Sequence, residues 1–165
     1  MYKILLIAVM SLLTSCEDVT YFIVRHAEKE GSVMSGDPPL SAKGEKQALD
    51  LKYMLQGTKL NQIFSTNTKR TLSTALPVSA FFGIKVEHYD AKKVNEFVQR
   101  LKGIKDGNVL VVSHSNVVDD IVNGLLGEQK LSDLPEDEYG IMYKVSRNGS
   151  YFSLERFAIT KVTPR

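Results

Sequence analysis

Short runs of β-branched and aromatic residues alternate along the chain with stretches in which apolar residues recur every three or four positions. Residues 19–24 form the first such run and predict a buried strand ending at Arg25-His26. Residues 31–39 carry Gly31, Gly36, Asp37, Pro38 and Pro39, which is loop chemistry. A helix is expected to start near Ser41, with Glu45 at roughly capping-box distance and Ala48, Leu51 and Leu55 on one face; Gly57 is its expected stop. Residues 62–65 predict a second strand. Residues 68–82 predict a second helix, with apolar Leu72, Ala75 and Leu76, which Pro77 should kink or break. A weak third strand falls at 85–88, and Val94, Phe97, Val98 and Leu101 form a helical stripe. Residues 108–113 contain Val109-Leu110-Val111-Val112, a continuous run suited to a parallel strand buried on both faces. Val118, Ile121, Val122 and Leu125 repeat the helical stripe, closed by Gly127.

Two last runs, 142–145 and 151–157, flank Asn148-Gly149, a hairpin signal. Strands alternating with helices and then a hairpin predict an α/β fold in three layers, α/β/α. Its central sheet is mostly parallel with an antiparallel edge hairpin.

With 165 residues, 43% hydrophobic and 24% charged, the chain can build one ordinary core, which argues against disordered, collagen-like and coiled-coil classes. Twenty-one basic against nineteen acidic residues give a net charge of +2, so bulk charge suggests no nucleic-acid partner. The single cysteine, Cys16, rules out an intramolecular disulfide and a Cys-based zinc site, and its position is informative. It ends a segment with Lys3, an apolar run over 4–13 and small residues. That run is about ten residues, well short of the ~20 needed to span a bilayer. The segment reads as a secretory signal, 1–15, and Leu13-Thr14-Ser15-Cys16 resembles the bacterial lipobox. That resemblance implies acylation of Cys16, a membrane partner through the lipid anchor, and a cell-envelope location, periplasmic or surface-facing, for one domain over 16–165.

In an open parallel sheet, ligands bind beyond the carboxyl ends of the strands. There the chain places Arg25-His26-Ala27-Glu28-Lys29, then Ser65-Thr66-Asn67 leading to Lys69-Arg70, then Ser113-His114-Ser115-Asn116. Two arginines make a pocket for a dianion, because a guanidinium fork matches phosphate oxygens and keeps its charge at any working pH. The same cations should hold His26 neutral, as a nucleophile requires, while a protonated His114 would donate to a transferring phosphoryl group. Amides at the start of the helix after His114 add donors, and Ser115 and Asn116 either cap that helix or touch phosphate. A metal reading of the histidines fails on two counts. His26 and His114 have no partner at helical ligand spacing, and Arg25 repels a cation. His88, in a polar run with no second motif residue, reads as a surface histidine.

The segment from Val24 to Lys29 resembles the Arg-His-Gly/Ala signature of the histidine phosphatase superfamily, the phosphoglycerate-mutase-like group. Three further segments agree in order: Leu40-Ser41 with Gly44, Gln47 and Ala48; Ser65-Thr66 with Arg70, Thr74 and Ala75; and Val111 to Asn116. The resemblance covers 19–127. It implies that His26 becomes phosphohistidine, that Arg25 and Arg70 bind the phosphoryl oxygens, and that His114 completes the pocket, with no metal or organic cofactor. The short chain is similar to the small bacterial phosphohistidine-phosphatase type, which implies a small phosphorylated substrate or a phosphoprotein. A phosphate-binding module without catalysis and a phosphoryl-transferring mutase are the alternatives.

The proton donor departs from the family pattern. The phytase branch has an aspartate after the second histidine, where this chain has Ser115; the mutase branch has a glutamate between the second arginine and second histidine, where Glu87 and Asp90 lie. Glu28, Glu87, Asp90 and Asp119 are the candidates. A missing acid would favour good leaving groups, phosphoramidates included. Specificity is expected in loops 31–39 and 131–139, and the sequence assigns no oligomeric state.

Overall fold

A computed structural model of the chain describes residues 18–31 and 36–159. Cys16 and the leader read as a signal lie outside the described residues, as does part of loop 31–39. The elements run β1 (Asp18–Arg25), α1 (Ala42–Leu55), β2 (Leu60–Ser65), α2 (Lys69–Phe82), β3 (Val86–His88), a short 3-10 turn (Ala91–Lys93), α3 (Val94–Lys102), β4 (Gly107–Ser113), α4 (Ser115–Leu126), β5 (Ile141–Asn148) and β6 (Tyr151–Ala158).

The strands form one sheet in the order β3-β2-β4-β1-β5-β6. The first four are mutually parallel, and β5 and β6 add the antiparallel edge, as the sequence predicts. Alternation along the central strands sorts the core into two halves. Tyr21, Ile23, Val109 and Val111 pack with Val118, Ile121 and Leu125 of α4 and Phe97 and Leu101 of α3. Phe22, Val24, Leu110 and Val112 pack on the other face with Leu51 and Leu55 of α1 and Ala75 and Val78 of α2. Because β2, β4 and β1 are neighbours, Ser65 pairs with Val112 and Ser113 with Arg25. Three strand ends that are far apart in sequence thus finish side by side.

Three local expectations are corrected. Helix α2 runs unbroken through Pro77. The carbonyl that loses its partner there belongs to Ser73, which is exposed and therefore open to solvent. The capping partner of Ser41 is not Glu45. Ser41 Oγ accepts from Gly44 N and donates to Glu28 Oε1 at 3.0 Å, so the helix start is tied to the segment after β1. In the hairpin Asn148 still pairs with Tyr151, which leaves Gly149-Ser150 as the turn. Gly149 alone has positive φ (59°), the pattern in which glycine stands first of the two central residues.

Gly44 is required by a close approach. A Cβ there would lie 2.0 Å from Glu28 O, the same carbonyl that accepts from Ser41 N. Gly44→Ala must push α1 away from the strand-end segment. The expected cost is about 1–3 kcal/mol, a fall in Tm of roughly 3–10 °C for a chain of this size. Calorimetry of the variant checks this, and an unchanged Tm would refute the contact.

Candidate active site

His26 follows β1 directly, and its backbone N–H donates to Ser113 O at 2.8 Å, which locks it against the end of β4. The side chain is 3% exposed. Its Nδ1 lies 2.8 Å from Ala27 O, an acceptor only, so Nδ1 carries the proton and Nε2 presents a lone pair. Ala27 N in turn donates to Thr74 Oγ1 at 2.9 Å, which fixes the loop that holds this tautomer.

His114 closes β4 and stands at the N-cap position of α4. Its ring is 5.5 Å from that of His26, edge to face. His114 Nε2 lies 2.9 Å from Thr66 Oγ1, which donates onward to Thr71 Oγ1 at 3.0 Å. Since the Thr66 proton is committed to Thr71, Nε2 is the donor, and His114 Nδ1 is free to accept from Arg70 at 3.4 Å. Arg70 also pairs with Asp37 at 3.3 Å, and Asp37 accepts from Lys69 N.

Arg25 is buried at the end of β1 and reaches the segment before β5. One terminal nitrogen donates to Pro135 O and Glu138 O, both at 2.9 Å; the other faces Tyr139 Oη at 3.3 Å and Glu136 Oε2 at 3.4 Å. The guanidinium lies over the Tyr139 ring at 4.1 Å, and that ring also flanks His26. Arg25 Nε and Arg70 Nε are buried and make no hydrogen bond among the described residues. Two oriented cationic donors beside two histidines suit a tetrahedral oxyanion.

Both histidines are neutral at neutral pH. Burial lowers the His26 pKa to about 3; the hydrogen bond to Ala27 opposes this, and Arg70, Arg25 and His114 reinforce it. The arginines were expected to be the cause, but burial comes first. His114 is lowered to about 4, again by burial first and then by Arg70 and Arg25, so a standing imidazolium is not its condition in the free protein. A depressed histidine pKa makes the unfolded chain bind more protons than the folded one at acid pH. Stability is therefore full above the unfolded value near 6.5 and falls as pH drops toward 4 and 3. The expected slope is about 1.4 kcal/mol per pH unit for each histidine. Urea unfolding at pH 7, 6, 5 and 4 should show it, and His26→Asn should flatten it; parallel curves for the two proteins would refute the neutral, buried imidazole.

The four residues singled out for phosphate chemistry, Arg25, His26, Arg70 and His114, come together. The carboxylates separate. Glu28 pairs with Lys43 at 2.6 Å and accepts from Ser41, and these partners hold its pKa down. Glu87 is engaged by Arg100 on the sheet edge. Asp119 is buried in α4, and burial followed by Asp120 raises its pKa. Asp90 lines a cleft of about 500 Å³ with Thr66, Thr68, His88, Lys92 and His114. His88 is exposed, as expected, yet borders that cleft. Ser115 does not cap α4; its hydroxyl donates to Glu136 Oε1 at 3.1 Å. Sequence reasoning missed Thr66, Asp37, Glu136 and Tyr139 as site residues. Thr66 lies in a segment it named without a role, and the other three in loops it named only for specificity.

Residues 21–92 match the family model of the histidine phosphatase superfamily, branch 1. The chain is 31% identical over 124 residues to phosphoserine phosphatase 1 of Hydrogenobacter thermophilus, which covers 72% of this chain and 48% of the relative. It therefore spans about half the length of that curated relative. In fold it is similar to the protein histidine phosphatase SixA complexed with tungstate, with a TM-score of 0.69 and 19% identity over 85% of this chain and 97% of that one. It is also similar to the alpha-ribazole phosphatase from Shigella flexneri, with a TM-score of 0.70 and 16% identity over 88% and 100%.

Proposed function

We propose that this chain, a member of the histidine phosphatase superfamily, hydrolyses phosphomonoesters or phosphoramidates through a phosphohistidine formed on His26, without a metal. The observation that carries the reading is the tautomer: Nδ1–H is spent on Ala27 O, so Nε2 is the unprotonated nitrogen of a buried, neutral imidazole. In the first step Nε2 forms a bond to phosphorus as the bond to the leaving oxygen or nitrogen breaks. Arg25 and Arg70 hold the equatorial oxygens, and their charge replaces that of a metal. The dianion offsets both arginines, which raises the His114 pKa and lets that ring take a proton and donate to the phosphoryl group. Water then attacks phosphorus, the P–N bond breaks, and phosphate leaves with His26 neutral again.

Asp90 is the donor to a poor leaving group in this reading, because among the candidates it is the one that lines the cleft with His114; one of its oxygens accepts from Lys92 N at 2.9 Å, while Glu28 and Glu87 are ion-paired elsewhere. Where it fails to deliver a proton, phosphoramidates and aryl esters are the preferred substrates. The lipobox resemblance at Cys16, outside the described residues, supports a lipid-anchored enzyme of the cell envelope acting on small phosphorylated molecules or phosphoproteins. The test is hydrolysis of an aryl phosphate, a phosphoramidate and a panel of alkyl monoesters in excess chelator, with quenching in alkaline denaturant to trap labelled enzyme. Chelator-resistant turnover with an acid-labile, base-stable phosphoenzyme is expected. Phosphate binding without turnover across the panel would overturn the reading in favour of a binding module.

A further inference from the structure

Glu136 sits where the proposed function needs an anion. One of its carboxylate oxygens faces the Arg25 guanidinium at 3.4 Å, and the other accepts from Ser115 Oγ at 3.1 Å. Arg25 and Ser115 are buried, at 5% and 7% exposure, and Ser115 follows His114 directly. A carboxylate and a phosphoryl group offer a guanidinium the same planar pair of oxygens. The Glu136 side chain itself is 80% exposed. It can leave this contact without disturbing any packing.

The rest of the loop is held by other means. Leu134 is buried, and its N–H donates to Ser115 O at 3.2 Å. Pro135 O and Glu138 O accept from Arg25, and Tyr139 lies against the guanidinium. A change at position 136 therefore removes one charge and leaves the loop anchored. Once displaced, the carboxylate remains tethered beside the phosphoryl group, where it repels further negative charge.

We infer that Glu136 is a specificity-determining residue that competes with the substrate's phosphoryl oxygens for Arg25 and Ser115, and so disfavours substrates with a second anionic group on that side of the phosphate. The inference rests on the phosphatase reading above. Because an exposed ion pair contributes little, its removal should strengthen anion binding by about two- to fivefold.

The test compares the full chain with Glu136→Gln, which keeps an acceptor for Ser115 but no charge, and with Glu136→Ala. Inorganic phosphate is titrated calorimetrically, and turnover is measured on phenyl phosphate and on a carboxyphenyl phosphate. Both variants should bind phosphate about two- to fivefold tighter, with the gain in KM larger for the carboxyphenyl ester. The effect belongs in KM and in the phosphate Kd, whereas a loosened loop would weaken both. Unchanged or weaker phosphate binding by Glu136→Gln, in a variant whose Tm matches wild type, overturns the inference. Wild-type protein that binds phosphate but hydrolyses neither ester sinks the phosphatase reading alone, since the competition is still read in the titration. Wild-type protein that binds no phosphate sinks both.

Discussion

His26→Ala is expected to lose at least about 10⁴-fold of turnover while still binding phosphate, because removing a covalent nucleophile removes the reaction path and not merely a contact. The two arginines that would hold the anion are anchored independently of the imidazole: Arg25 by Pro135 O and Glu138 O, Arg70 by Asp37. The fold should survive. The ring does leave a small space beside His114 and Tyr139 and strands Ala27 O, a change worth about 1–3 kcal/mol. Part of that cost is recovered at acid pH, where wild type has to keep a buried imidazole uncharged. The comparison therefore has three readouts: turnover by the aryl phosphate assay, phosphate affinity by calorimetry, and labelling of the protein quenched in alkaline denaturant. Turnover within tenfold of wild type, or labelling retained in the variant, would refute His26 as the nucleophile. Lost phosphate binding would instead make His26 a structural support for the arginine pocket.

How much of this was legible in the sequence depends on the range of the interaction. The strands and helices were readable because each rests on a local pattern: Val109 to Val112 is apolar throughout because both faces are covered, and α3 shows its stripe because one face is. The convergence of Arg25, His26, Arg70 and His114 was also readable, since all four sit at or just beyond strand ends that a parallel sheet brings together. What escaped were partners with no periodic or motif signal. Asp37 meets Arg70 from a loop 33 positions away, and Glu136 meets Arg25 across 111 positions, in a loop recognisable only by its polarity. The carboxylates part from one another for a related reason. Glu28 adjoins the motif in sequence, but Ser41 and Lys43 draw it to the start of α1, while Asp90, with no motif around it, is carried to the cleft by the end of β3. Pro77 shows the limit of a local rule. Its penalty depends on whether the orphaned carbonyl can reach solvent, which is settled by which side of α2 packs on the sheet.

Arg25→Lys should separate the site from its neighbour Arg70 more sharply than an alanine scan. In the proposed reading Arg25 serves two groups at once: one terminal nitrogen holds the carbonyls of Pro135 and Glu138, and the phosphoryl group takes the other, which here faces Glu136 and Tyr139, together with Nε, which makes no hydrogen bond among the described residues. Lysine offers one strongly hydrated ammonium without a planar fork, so it can serve the loop or the phosphoryl group but not both. The expected loss in kcat/KM is about 10²–10³-fold. With it should come faster amide exchange through residues 134–139, because the carbonyl anchors and the stacking on Tyr139 go together. Arg70 is only partly buried, and its protein partners are Asp37 and His114 rather than that loop. Arg70→Lys should cost a comparable factor in kcat/KM and leave exchange at 134–139 unchanged. Equal exchange in the two variants would refute the double role of Arg25. The predicted asymmetry follows from position: Arg25 ends the strand that lies between the parallel sheet and the antiparallel hairpin, so a single guanidinium borders the pocket proposed for phosphate and pins the segment that leads into β5.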